Sequence, residues 1–105
     1  MFIEVANTPL KRMKGLLGRS SLEDGHGLLI TPCNAVHTHF MKFAIDLRFF
    51  SKSGELVRLY RNVTPGKWWL WGGFKAHCVL ETRAGDTTFD SPTALSQLKK
   101  EVFHV

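Results

Sequence analysis

Residues 32–50 hold the side chains of this chain that could do chemistry. The segment places the Cys33 thiol, the His37 and His39 imidazoles and the Asp46 carboxylate among apolar residues, where polar groups need a partner or a function. A thiol near an imidazole could act as a nucleophile, with Cys33, His37 and Asp46 as the catalytic set. Cysteines are more often buried and inert, and we therefore predict no catalytic residue here.

The same segment offers candidate metal ligands. If the chain is extended here, His37 and His39 share one face of a strand, and Cys33 could join them from the preceding turn. A Cys/His set suits zinc, and the addition of Met41 would suit Cu(I). One His-x-His pair without a fixed third ligand is a weak signal. We predict no metal site at Cys33, His37 and His39, and no other cofactor.

Charged residues inside apolar segments form a second group of candidates. Asp46 and Glu81 each lie in a predicted strand, and Arg19 follows a predicted helix. Two carboxylates could do general acid–base work. Such acids are more often paired with arginine or with backbone donors, and they then stabilise the fold. We predict a structural polar cluster of Arg19, Asp46 and Glu81, with Arg19 as the leading partner of a buried acid.

Residues 67–75 form a loop that carries three tryptophans within four positions. Three such rings cannot all point inward from one loop, and exposed aromatic clusters usually mark contact surfaces. Flanking basic residues would suit a protein, an anionic membrane surface or single-stranded nucleic acid as partner. The alternative is that the loop folds back to close the open end of a barrel. The predicted binding residues are Arg61, Lys67, Trp68, Trp69, Trp71 and Lys75.

Composition limits the class of protein. The chain has 105 residues, which fits one domain, with 44% hydrophobic residues and a formal net charge of +5. It lacks an apolar run of about 18 residues, the length of a transmembrane helix, and its N-terminus lacks the features of a signal peptide. We therefore expect a basic cytoplasmic protein with reduced thiols at Cys33 and Cys78. The sequence contains neither a glycine-rich phosphate loop nor a paired Cys-x-x-Cys signature.

Short apolar and alternating segments predict a mainly β (α+β) fold. Strands are expected at residues 2–6, 27–30, 36–41, 45–50, 55–61 and 76–82. The strand at 36–41 would turn Val36 and Phe40 toward the core. Because no βαβ alternation is evident, we predict a small antiparallel β-barrel or a strongly curved sheet.

Helices are predicted near both ends of the chain. Thr8 followed by proline is typical of a helix start, and a helix of two to three turns would bury Leu10, Met13 and Leu17. Ser91 followed by proline predicts a second start. We divide the chain into a compact β-rich domain over residues 1–90 and a C-terminal, helical extension over residues 91–105.

A series of motifs in this order resembles a known family. The motifs are GLLGR at residues 15–19, GLLI at 27–30, PC at 32–33, HT at 37–38, FM at 40–41, ID at 45–46, VLE at 79–81 and AG at 84–85. The pattern resembles the bacterial domain-of-unknown-function family 192, in the branch with the shorter Met-to-Asp spacing. The resemblance covers about residues 1–86. It implies a compact, mostly β domain with one short helix, and it implies no activity.

These observations favour an uncharacterised binding or interaction module that uses the Trp-rich basic loop, rather than an enzyme. The alternative is a small enzyme or metal-binding protein centred on Cys33, His37, His39 and Asp46. An exposed tryptophan loop would favour the first hypothesis. An open pocket where Cys33, His37 and Asp46 converge would favour the second.

Overall fold

A computed structural model describes residues 1–103, whose main element is an open five-stranded sheet. The strands are β1 Phe2–Ala6, β2 His26–Ile30, β3 Ala35–Val36, β4 Ile45–Phe50, β5 Leu56–Val63, β6 Leu70–Trp71 and β7 Cys78–Arg83. The large sheet has the order β1-β2-β7-β4-β5, and β3 pairs with β6 in a separate two-stranded ribbon. Helix α1 spans Pro9–Lys14 and helix α2 spans Pro92–Leu98, followed by a π-helical turn at Lys99–Phe103.

The sheet is mixed and it does not close. Strand β1 runs parallel to β2, joined to it through α1, whereas the other neighbouring pairs are antiparallel. Within residues 1–103, β1 and β5 remain the two edges of the sheet. The mainly β, α+β class is confirmed, and of the two predicted architectures, a closed barrel or a curved sheet, the barrel is wrong because the sheet is open. The β1-α1-β2 unit, which was not predicted, places a parallel pair of strands at one edge of the sheet.

Both faces of the sheet are buried, which explains why it need not curl into a barrel. Alternate residues of β4 and β7 point to opposite faces. Ile45, Leu47, Phe49 and Val79 belong to the apolar cluster on one face. The other face carries a second cluster, formed by Leu29, Phe50, Cys78, Leu80, Phe89 and Leu98.

The C-terminal segment covers this second face. The Ser91 hydroxyl accepts a hydrogen bond from the Ala94 amide at 3.0 Å, with Pro92 as the first residue of α2. Leu98 at the end of α2 is fully buried against the sheet. The predicted C-terminal helix is confirmed, and the last two residues of the predicted 91–105 extension lie outside the described residues. No helix in the described part of the chain is long and apolar enough to cross a membrane.

Helix α1 is shorter and more exposed than the sequence predicted. The Thr8 hydroxyl accepts from the Lys11 amide at 3.3 Å, and the helix ends at Lys14 because Gly15 adopts a φ of 49°. Leu10 and Met13 are 78% and 73% exposed, so the predicted buried face of this helix is wrong. The residue that enters the core is Leu16, just beyond the helix.

Candidate functional site

The loop of residues 64–68 is fastened to a turn at residues 38–41 by hydrogen bonds to one buried threonine. The Thr38 amide donates to the Lys67 carbonyl at 2.8 Å, and its carbonyl accepts from the Gly66 amide at 2.9 Å. The Thr38 hydroxyl donates to the Thr64 carbonyl at 2.8 Å and accepts from the Lys67 amide at 2.9 Å. Since Thr38 is fully buried, these bonds fix the turn and the loop as one unit.

The turn projects Phe40 into solvent. The Met41 amide donates to the Thr38 carbonyl at 3.2 Å, and Phe40 adopts a φ of 64°, a strained value for a bulky residue. Phe40 is 86% exposed, whereas Met41 is 9% exposed. The predicted strand over residues 36–41 is therefore wrong beyond Val36, where β3 ends. The turn reverses the expected alternation, with Phe40 outside and Met41 inside.

Two of the three tryptophans in the loop are exposed beside this turn. Trp68 and Trp69 are 76% and 73% exposed. The rings of His39 and Trp68 are in contact, with centroids 3.5 Å apart, and the His39 and Phe40 rings are 6.1 Å apart. Trp71 is half-buried in β6 and packs edge-on against Phe74 at 4.7 Å. We use the name aromatic surface for five residues of the turn and the loop: His39, Phe40, Lys67, Trp68 and Trp69.

The basic residues predicted beside the loop divide into two groups. Lys67 and Lys75 are exposed. Arg61 instead donates to the Asp90 carboxylate at 2.9 Å, which ties it to the C-terminal segment. Arg58 reaches the Trp71 carbonyl at 3.5 Å and supports β6. Lys67 and Lys75 supply the positive charge of the loop itself, and the exposed Arg58, which has no acidic partner among residues 1–103, adds to it from β5.

A separate cavity of about 190 Å³ lies between the face of the sheet on one side and, on the other, helix α1 together with the turn that follows it. Cys33 and His37, from the segment singled out in the sequence, line it. Asp46 does not line the cavity, and the acidic residue that lines it is Glu81. Apolar walls complete the cavity, formed by Met13, Leu16, Leu17, Ile30, Val36 and Met41.

Glu81 is the buried acid of this cavity. It is 4% exposed and lies on the central strand β7. Burial raises the pKa of Glu81 to about 7, because the charged form loses its hydration. A Cβ atom built on Gly15 would lie 3.6 Å from Glu81 Oε1, so the backbone that follows α1 passes directly over the carboxyl group.

The two cysteines are free thiols with the properties of packed residues. The Cys33 thiol is half-buried and donates to the Ala35 carbonyl at 3.2 Å. Burial raises the pKa of Cys33, and burial raises that of Cys78 to about 12. Neither thiol is activated as a nucleophile, because activation requires a lowered pKa. The catalytic set of Cys33, His37 and Asp46 does not assemble.

The predicted cluster of Arg19, Asp46 and Glu81 does not form. Arg19 donates to the Glu4 carboxylate at 2.6 Å, in a half-exposed pair. The side chains of Asp46 and Glu81 point to opposite faces of the sheet, because successive side chains along a strand alternate between the two faces. Asp46 Oδ1 accepts from the Asn62 amide at 2.8 Å, where the register of β4 and β5 shifts. The Asp46 carboxylate therefore completes a β-bulge.

The metal hypothesis finds no assembled ligand set in residues 1–103. No three His, Cys, Asp or Glu side chains of that part of the chain come together in an arrangement that could hold a metal ion. His37 faces the cavity, and His39 packs on Trp68. The centroids of the His37 and His39 rings are 5.8 Å apart. The two rings therefore remain close together, but no third ligand from residues 1–103 joins them.

Two groups of residues in the structure were not predicted from the sequence. Arg12 and Lys14 were not singled out, yet both line the cavity. Arg48 was not singled out, yet it is 1% exposed and donates to Asp90 at 2.7 Å. An arginine within an apolar strand was the available signal for Arg48, because a buried charge requires a partner.

Two solved structures are similar to this chain in fold. A protein of unknown function from Novosphingobium aromaticivorans DSM 12444 superposes with a TM-score of 0.74 at 22% identity. The superposition covers 81% of this chain and 64% of that one, so this chain spans less than two thirds of it. A protein from Sinorhizobium meliloti 1021, described as a candidate transcription regulator, gives the same score and identity and is covered over 70% of its length. At this identity the likeness shows the fold alone.

No curated protein matches this chain. A family profile does match, and it covers residues 1–89, which include the turn, the tryptophan loop and every residue lining the cavity. The chain therefore belongs to the DUF192 family, described as Uncharacterized ACR, COG1430.

Proposed function

We propose that the protein is a binding module that attaches to an anionic phospholipid surface through the aromatic surface. The observation that carries the proposal is the outward projection of Phe40 in a strained backbone conformation beside exposed Trp68 and Trp69. Backbone strain of this kind persists where the surroundings enforce it, and it concentrates at functional sites. Here the Thr38 hydrogen bonds enforce it.

The chemistry of the aromatic surface suits a lipid interface. Tryptophan and phenylalanine rings partition between headgroups and acyl chains, and lysines beside them bind lipid phosphates. Each lysine near an anionic bilayer contributes about 1 kcal/mol. Lys42 and Lys67 are exposed at the base of the turn and the loop, and the whole chain carries a net charge of +5.

Nucleic acid is the competing partner. The Sinorhizobium meliloti protein of the same fold is described as a candidate transcription regulator. Single-stranded nucleic acid requires a basic groove that follows the backbone, with rings on which bases stack. The exposed rings here sit on a turn and a loop tip, and Arg61 is paired with Asp90. This arrangement supports shallow insertion of the rings more than it supports stacking along a strand.

The proposal is tested by sedimentation with vesicles of phosphatidylcholine containing 30% phosphatidylserine, against pure phosphatidylcholine. Phe40→Gly removes the ring and relieves the positive φ, so it should fold at least as well as the parent. We expect it to lower partitioning about tenfold, which corresponds to about 1.4 kcal/mol.

The matched control is Phe2→Ala, since Phe2 is an exposed phenylalanine on the edge strand β1 and should leave partitioning unchanged. A single-stranded oligonucleotide titration runs in parallel at the same ionic strength. The proposal fails if the parent protein stays in the supernatant with phosphatidylserine vesicles, or if only the oligonucleotide binds.

A further inference from the structure

The cavity beneath α1 has the charge distribution of a ligand site, and it is distinct from the aromatic surface. Its volume, about 190 Å³, is below the range of about 300–1,000 Å³ typical of sites for drug-sized ligands. An occupant must therefore be small. The walls are mostly aliphatic, so the body of the occupant must be apolar.

The acid in the cavity is largely removed from water. Glu81 is 4% exposed, burial raises its pKa, and none of the ion pairs within residues 1–103 includes it. Buried carboxylates are normally paired, and an unpaired one is costly to ionise. An ammonium group placed in the cavity would satisfy this carboxylate with a charge-assisted hydrogen bond.

Positively charged residues also line the cavity. Arg12 and Lys14 belong to α1 and line the cavity, and Lys14 is exposed to solvent. Arg12 Nη1 donates to the Pro32 carbonyl at 3.2 Å, which holds the guanidinium against the segment before β3. A simple cation would be repelled by these two side chains, whereas a ligand with an anionic group at its outer end would be attracted.

We propose that the cavity binds a small aliphatic molecule with an ammonium group at one end and a carboxylate at the other. The ammonium group pairs with Glu81, the methylene chain packs on Leu16, Val36 and Met41, and the carboxylate meets Arg12 and Lys14. Each polar group of the ligand then faces the opposite charge, and each apolar group faces apolar walls.

This binding should depend on pH through Glu81. The titratable and charged groups that share the cavity with Glu81 are Arg12, Lys14, Cys33 and His37. The strand neighbours of Glu81 on β2 and β4 are Leu28 and Leu47, which carry no charge. An ammonium ligand requires the Glu81 carboxylate, whose pKa is about 7 in the free protein. Affinity should therefore rise as the pH rises toward 7 and level off above it.

The test compares three probes by calorimetry and by NMR shifts at pH 8. The probes are 5-aminopentanoate with both groups, pentylamine with the ammonium group alone and pentanoate with the carboxylate alone. We expect 5-aminopentanoate to bind most tightly, pentylamine more weakly and pentanoate least. Loss of one charge-assisted contact should weaken binding about tenfold or more.

Variants locate the site and separate it from the lipid surface. Glu81→Gln keeps the shape of the side chain, and it should lower the affinity for 5-aminopentanoate at least about tenfold and abolish its pH dependence. Lys14→Met should weaken 5-aminopentanoate but not pentylamine. Glu23→Gln, at an exposed acid, is the matched control, and His37→Gln should keep the pH dependence.

Three results would overturn the proposal. They are the absence of 5-aminopentanoate binding at millimolar concentration, equal binding of pentanoate, and unchanged binding in Glu81→Gln. If Glu81→Gln fails to fold, Lys14→Met decides the question, because it should weaken 5-aminopentanoate and leave pentylamine unchanged. Vesicle sedimentation of Glu81→Gln should match the parent, so this proposal and the lipid proposal can fail independently.

Discussion

The ring of His39 lies against the ring of Trp68, with centroids 3.5 Å apart. This contact joins the turn that carries Phe40 to the loop that carries Trp68 and Trp69. His39, which the sequence offered as a candidate metal ligand, therefore packs within the aromatic surface. Its neighbour His37 faces the cavity instead, so the two rings serve two different regions.

The ion pair between buried Arg48 and exposed Asp90 should stabilise the fold by holding the C-terminal segment on the sheet. Arg48 is 1% exposed, and it donates to Thr82 at 3.2 Å and to Asp90 at 2.7 Å. Hydrogen bonds from Arg61 and Arg48 hold the pKa of Asp90 below its usual value. Asp90→Ala leaves a buried guanidinium without its counter-charge, and it should lower the free energy of unfolding by about 3 kcal/mol in urea titrations.

The control for that experiment is Asp24→Ala. Asp24 pairs with Arg83 at the exposed surface, where ion pairs contribute little to stability. We expect the control variant to unfold close to the parent. Equal midpoints for Asp90→Ala and Asp24→Ala would show that the C-terminal segment is not held by Arg48.

Glu81 should make the protein less stable as the pH rises. Its pKa is about 7 in the folded chain against an ordinary value of 4.5, because burial disfavours the charged form. Between these values the folded state binds more protons than the unfolded state, so the free energy of unfolding falls with rising pH and levels off above 7. The loss amounts to about 3 kcal/mol.

Glu81→Gln should remove this loss. The variant is expected to be similar to the parent near pH 4.5 and more stable than the parent at pH 8, in thermal melts across that range. A variant that is less stable than the parent at pH 8 would mean that the ionised carboxylate is stabilised in the folded protein.

The two thiols should differ in accessibility. Cys78 is 1% exposed, with its pKa raised to about 12, whereas Cys33 is half-buried and lines the cavity. Ellman's reagent should therefore modify one thiol slowly in the native protein and two thiols rapidly in denaturant. Cys33→Ser should eliminate the native reaction. Rapid native modification of both thiols would indicate that the second face of the sheet opens readily.

The sequence predicted local structure better than it predicted the architecture. The Ser91 cap and the α2 helix follow from short-range chemistry, and both are present. The barrel prediction failed because closure depends on what covers the second face, and Leu98 covers it from a distant part of the chain. No local pattern carries that information.

The residues of the candidate site were likewise predicted only in part from the sequence. Cys33 and His37 were singled out from their types, and they line the cavity, but Asp46 was grouped with them by sequence proximity alone. Its side chain points to the other face and binds the Asn62 amide at 2.8 Å. The turn that exposes Phe40 depends on the Thr38 bonds to residues 64–67, which are long-range contacts. An apolar residue in a short alternating segment would otherwise be expected in the core.

The most direct test of the lipid proposal is tryptophan emission in vesicles whose acyl chains are brominated near the headgroup. Trp68 and Trp69 are exposed in the free protein, so acrylamide should quench a large part of the emission. With 30% phosphatidylserine present, we expect a blue shift and quenching by the brominated chains. Both effects should weaken with salt and be lost in a Trp68→Ala, Trp69→Ala double variant. Emission that stays unshifted and unquenched at saturating anionic lipid would contradict the proposed function.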